Sequence, residues 1–222
     1  MKKMMISMAL LGSTLLMADG YVSVEQLSLH SKKKNIYSYQ PMSDMIGKDV
    51  SMTKVSIGLE ANKDKKSIFY GSRIGIYGGY SSDKYKDISG GVEFLLRNTN
   101  HIISPYFSGF VGVGYRNDKG ARFNSTTSIG QIEYITHTDS ELKQNYMNPT
   151  KGTIIKNSGW VDVGFGIGLN FNMKNVNLNI GYAFVTRSYD TFYKLDTRPD
   201  YTNTVGTNQW NSGLQVGLEI KF

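Results

Sequence analysis

From Ser51 onward the sequence alternates with a period of two. In "KVSIGLEA" Val55, Ile57, Leu59 and Ala61 share one face, and Lys54, Ser56, Gly58 and Glu60 share the other. Such a pattern belongs to strands, whose successive side chains point to opposite sides. It recurs in "DISGGVEFLLR", "PYFSGFVGVGYR", "GWVDVGFGIGLNF", "VNLNIGYAF" and "SGLQVGLEIKF", and less tidily in "SIFYGSRIGIYGGY", which puts Ile68, Tyr70, Ile74 and Ile76 together. These segments predict seven strands. An eighth is assigned to "YVSVEQLSLH", where the parity of the apolar residues switches between Val24 and Leu27 and a β-bulge is expected.

Alternation alone does not say which face is inside, because a soluble sandwich and a membrane barrel both alternate. The second face decides. A soluble sheet turns Lys, Glu and Thr to water, whereas here that face carries Gly58, Gly71, Gly75, Gly79, Gly91, Gly112, Gly114, Gly164, Gly166, Gly168, Gly181, Gly213 and Gly217. Glycine weakens a strand, so this enrichment needs a cause. A narrow closed barrel supplies one: small residues must sit beside the few bulky ones inside, such as Phe69, Tyr77, Phe110 and Trp160. The fold class is therefore all-β, an eight-stranded antiparallel up-and-down transmembrane β-barrel with its oily face toward lipid.

Connections of 62–66, 98–105 and 172–175 read as short, against longer ones at 31–50, 81–87, 116–157 and 186–208. Short periplasmic turns alternating with longer external loops fit an outer-membrane barrel. All four prolines are placed in connections. Phe222 and Phe171 are assigned to the inner aromatic girdle, with Tyr115, Phe184 and Trp210 near the outer one.

"MKKMMISMALLGSTLLMADG" has a positive start, a short apolar stretch and a small residue at Ala18, the pattern of a secretory signal peptide. Residues 1–18 are read as that signal and 19–222 as the barrel domain, which takes the net charge from +7 to +5. The chain has no cysteine, which removes disulfides, thiolate metal sites and cysteine nucleophiles together. No stretch approaches the length of a transmembrane helix.

Small eight-stranded outer-membrane barrels of the OmpA and OmpX type, grouped also as opacity-like or "porin family" proteins, are what this pattern resembles. The most specific piece is the carboxyl end, "QVGLEIKF". In the family such an end is a final-strand signal read by the outer-membrane assembly machinery, and Gln215, Gly217, Ile220 and Phe222 match it, with Ile220 where an aromatic is usual. The resemblance implies an outer-membrane location in a Gram-negative bacterium and a monomer.

The lumen face carries Lys54, Arg73, Arg97, Arg116 and Lys221 against Glu60, Glu93, Asp162 and Glu219. Unpaired ions in a cramped barrel are costly, so pairing is expected, with Arg73 and Glu93 a diagonal pair on adjacent strands. A salt-bridged plug is favoured over a selective pore lining, because eight strands leave room only for side chains. For catalysis, only His137 has Ser140 and Glu141 nearby, inside the longest loop, and a lipid A-modifying enzyme is the least favoured reading. His30 and His101 read as rim residues.

Lys32, Lys33 and Lys34 are candidates to meet lipopolysaccharide phosphates. The loop tyrosines, among them Tyr189, Tyr193 and Tyr201, suit an extracellular ligand or host surface. No cofactor site, metal spacing or nucleic-acid module is present in the sequence. The functional expectation is a structural or surface-interaction role presenting long external loops, with a narrow solute channel as the alternative.

Overall fold

A computed structural model describes residues 20–34, 49–62, 64–82, 86–125, 150–196 and 198–222. The signal-peptide assignment and the His137, Ser140 and Glu141 group lie outside the described residues. Among the described residues ten strands form one antiparallel sheet: β1 (Gly20–Lys34), β2 (Asp49–Glu60), β3 (Arg73–Ser82), β4 (Lys86–Arg97), β5 (Ile103–Arg116), β6 (Arg122–Ser125), β7 (Thr150–Ile154), β8 (Ser158–Met173), β9 (Val176–Leu195) and β10 (Arg198–Lys221). Eight of them, in the order β1, β2, β3, β4, β5, β8, β9, β10, close into a barrel through the β10–β1 pairing. The short β6 and β7 attach beyond the barrel proper, with β7 on the far end of β9.

The registers fix the barrel's shear. Starting at Val24, paired residues run through Val55, Gly78, Gly90, Val113, Val161, Ser188 and Asn208, and return to β1 at Lys34. The path closes ten residues along β1, since 34 − 24 = 10. For eight strands at ordinary spacings this corresponds to a strand tilt of about 40°.

Polarity is inside-out over most of the height. Val161, Val163, Phe165, Ile167 and Leu169 on β8 are exposed on the outer wall, while Trp160, Asp162 and Asn170, in the opposite phase of the same strand, are buried. The strands carry this apolar outer surface; among the described residues no helix is long and apolar enough to cross a membrane.

Tight inner packing gives the glycines their purpose. Three cross-strand rows each place one tyrosine beside two glycines: Tyr21–Gly58–Gly75, Tyr77–Gly91–Gly112 and Tyr106–Gly168–Gly181. In every row the ring lies over both glycines, and a Cβ on either would overlap it. Phe110 covers Gly164 and Trp160 covers Gly114 in the same way.

Several sequence expectations are corrected. β1 contains no bulge; its register with both neighbours is continuous, and the parity switch is a real change of face, with Leu27 and Leu29 turned into the lumen. β3 starts at Arg73, because residues 61, 62 and 64–72 lie in a turn that includes Ile68, an exposed Phe69 and Gly71 at φ +79°. Ser67 caps that turn, accepting from the Phe69 backbone N–H at 3.1 Å and from Asn62 Nδ2 at 2.8 Å. This turn is therefore longer than the expected 62–66.

The expected loop 186–208 is mostly ladder, since β9 and β10 continue outward as a paired hairpin, and Tyr189 and Tyr193 are buried. Part of the expected loop 116–157 forms β6 and β7. β1 extends through Lys34, so Lys32, Lys33 and Lys34 are strand residues. Pro105 lies in β5, before its pairing with β4 begins at Tyr106, and Pro199 lies in β10. Phe184 stacks on Phe165 at mid-height of β8, with centroids 4.9 Å apart, instead of joining an end girdle.

Candidate functional site: the barrel lumen

Inward positions of the eight strands supply two groups of buried ions. Nearer the end of the barrel where Gly20 meets Phe222, the terminal end, Lys54 Nζ lies 3.0 Å from Glu25 and 2.9 Å from Glu93. Arg73 reaches Glu25 at 3.0 Å, Glu93 at 3.5 Å and Glu219 at 3.2 Å. Arg97 pairs with Glu219, donates to Asn170 Oδ1 at 3.1 Å and to the Gly71 carbonyl at 2.8 Å. Three cations thus face three carboxylates. Tyr21 stacks under the Arg73 guanidinium at 4.3 Å, and Gln215 donates to Glu25 at 3.2 Å.

Toward the far end, Arg116 makes a two-point contact with Asp87 at 3.1 and 3.0 Å. Arg187 bridges Asp87 at 2.8 Å and Asp162 at 3.3 Å while lying over the Trp160 ring at 3.7 Å. Two guanidinium groups meet two carboxylates. Planar, charge-assisted pairing of this kind offsets the desolvation that makes an isolated buried ion so unfavourable.

Between the two groups lies an apolar cluster. Leu27, Leu29, Val50, Met52, Tyr77, Phe110, Ala183 and Val185 form one buried cluster. Chain order locates it: Glu25 precedes Leu27 on β1, Lys54 follows Met52 on β2, and Arg187 follows Val185 on β9. The Lys54 ammonium sits 4.3 Å from the Phe110 ring and 5.0 Å from that of Tyr77, marking the lower side of the cluster. Tyr77 and Phe110 meet edge to face at 5.7 Å.

At the terminal end the lumen opens into a cavity of ≈ 300 Å³ lined by Glu60, Tyr70, Thr99, Lys174 and Lys221 among others. Lys221 Nζ is 3.5 Å from Glu60 there, so this pair stands at the mouth, apart from the central group. Of the residues singled out from sequence, Lys54, Arg73, Glu93, Arg97 and Glu219 are in the first group, and Arg116 and Asp162 are in the second. Sequence reasoning missed Glu25, Asp87 and Arg187. Glu25 sits at the parity switch, while Asp87 and Arg187 fell in segments assigned to connections.

Two members of the carboxyl-terminal motif also face inward. Gln215 holds Glu25, and a Cβ on Gly217 would touch the Glu25 side chain. Ile220 and Phe222 are exposed on the outer wall. Among the described residues no cluster of His, Cys, Asp and Glu has a metal-binding arrangement.

Strand number, antiparallel closure and inside-out polarity give this chain the fold of the small eight-stranded outer-membrane β-barrels. Solved structures to which it is similar include Neisserial surface protein A, at 13% identity and TM-score 0.48, covering 91% of this chain and 97% of that one. OprG from Pseudomonas aeruginosa is similar at 10% identity and TM-score 0.41, covering 92% and 96%. Ail, the attachment invasion locus protein of Yersinia pestis, is similar at 17% identity and TM-score 0.32, covering 89% and 99%. No family model and no curated protein matches the chain.

Proposed function

We propose that this protein is an outer-membrane barrel with a structural and surface-interaction role: a closed, non-conducting body that holds the β9–β10 hairpin and the β6–β7 unit outside the cell. One observation carries the reading. The buried lumen ions close on one another in two groups separated by an apolar cluster, which is the arrangement of a plug; a pore lining would present charge to water. Gly20 and Phe222, joined by reciprocal backbone bonds, stand at the periplasmic end. Lipid and lipopolysaccharide are its surroundings, the assembly machinery reads its carboxyl end, and an extracellular ligand or host surface is met by the far-end extension. The reading assigns no catalysis.

Planar-bilayer recording of the refolded protein tests it. No reproducible single-channel steps are expected. Steps that shrink on Glu93→Gln or Arg73→Gln would instead establish the narrow channel.

A further inference from the structure

Over the far-end half of β1 and β2 the outer wall reverses its polarity. Gln26, Ser28 and His30 on β1 and Asp49, Ser51 and Thr53 on β2 all point outward, while Leu27, Leu29, Val50 and Met52 point in. The outward groups satisfy one another: Gln26 Nε2 donates to Ser51 Oγ at 2.8 Å, Thr53 Oγ1 donates to Gln26 Oε1 at 2.6 Å, and His30 Nδ1 lies 2.9 Å from Asp49. On the neighbouring β10, Ser212 accepts from the Tyr182 hydroxyl at 3.2 Å.

These positions lie at the depth of the apolar belt elsewhere. A shear of ten over eight strands makes a row of paired residues climb by about 1.25 residues per strand. Val161, five strands round from Val24 on one row, is therefore about six residues higher than Val24, and Val163 about four, level with Ser28. By the same construction Gln26 is level with Val92 and Phe165, Thr53 with Val111, and Ser51 with Val113. Those five apolar side chains are exposed on the opposite wall, at 46% to 64%.

We infer that the β1–β2 face is a notch in the apolar belt that receives the phosphate and hydroxyl groups of outer-leaflet lipids, so that the leaflet is locally thin against this side of the barrel. The inference rests on the membrane reading above. Lipid headgroups fit this face better than another protein does. A protein interface needs an apolar or aromatic anchor enclosed by a polar rim; here the order is reversed, with the polar groups in the middle and exposed apolar side chains at the border, Leu214 beside Ser28, Tyr80 beside Thr53, and Val24 and Val55 below. Short hydroxyl and amide groups paired along the wall instead form a shallow surface of mixed donors and acceptors, suited to headgroups.

The absence of cysteine makes the test direct. Single-cysteine variants S28C, S51C, V163C and V113C of the full chain are spin-labelled in phosphatidylcholine vesicles, and collisions with oxygen and with a water-soluble nickel chelate are compared. Nickel access several-fold higher at Ser28 and Ser51 than at Val163 and Val113 is expected. Ser28 as lipid-buried as Val163 would overturn the notch. So would protection of Ser28 from both reagents, which would mark a protein-covered face. Nickel access at Val163 itself would sink the membrane reading instead. As a second measurement, filling the notch with Gln26→Leu, Ser28→Leu, Ser51→Val and Thr53→Val is expected to lower nickel access at a label on His30→Cys several-fold, and no change there would also count against the notch.

Discussion

At the scale of single residues, the glycines of the three tyrosine rows have no room for a side chain. Gly112 lies under the Tyr77 hydroxyl and beside Asp162, so a branched residue there must displace a ring that is itself packed on Phe110. Gly112→Val is therefore expected to abolish the compact form that resists detergent until boiled, as read by gel mobility. Gly78, whose Cβ would meet nothing within 4 Å, is the matched control, and Gly78→Ala should fold normally. Among the ions, Glu93 holds both Lys54 and Arg73. Its loss strands buried charge, and Glu93→Gln should lower unfolding stability in urea by about 3–5 kcal/mol.

The pairing of Arg73 with Glu93 was legible because both residues alternate with apolar neighbours on adjacent strands. The partnership of Arg97 with Glu219 was not, since it joins β4 to β10 across the lumen.

At the scale of elements, the strands outlast the hydrophobic pattern that reveals them. Beyond Phe184, β9 continues with Val185, Arg187, Tyr189, Thr191 and Tyr193 buried. Its outer face there turns to Thr186, Ser188 and Asp190, so the phase that marks a lipid-facing strand disappears and the segment reads as a loop. The same reversal on β1, at Leu27, read as a bulge. Because β1 pairs with β10 only from Asn208 onward and β8 with β9 only up to Tyr189, the tip of the β9–β10 hairpin stands clear of the closed barrel. Replacing residues 191–203 by a two-residue turn is expected to leave heat-modifiable folding intact while removing whatever surface contacts the protein makes, measured by whole-cell binding against the parent.

At the scale of the whole molecule, the ion groups and the cluster between them act together as a seal. Substituting Leu27, Met52 and Val185 with serine removes the apolar separation without touching an ion pair. Water is then expected to enter between the groups, and backbone amides on the inner halves of β1, β2 and β9 should exchange with solvent deuterium faster than in the parent. Unchanged exchange would show that the ion pairs alone keep the lumen dry.

The amino-acid order by itself determined the strand period, the count of eight barrel strands, the choice of outer face and the presence of charge inside, because each is a local consequence of side chains alternating at two residues per repeat. Which charges meet, where the lumen is sealed and where the outer wall turns polar were decided only by closure. A shear of ten tilts every row, so residues far apart in the chain and on non-adjacent strands come to the same height and touch across the interior. No pattern along a single strand encodes that offset.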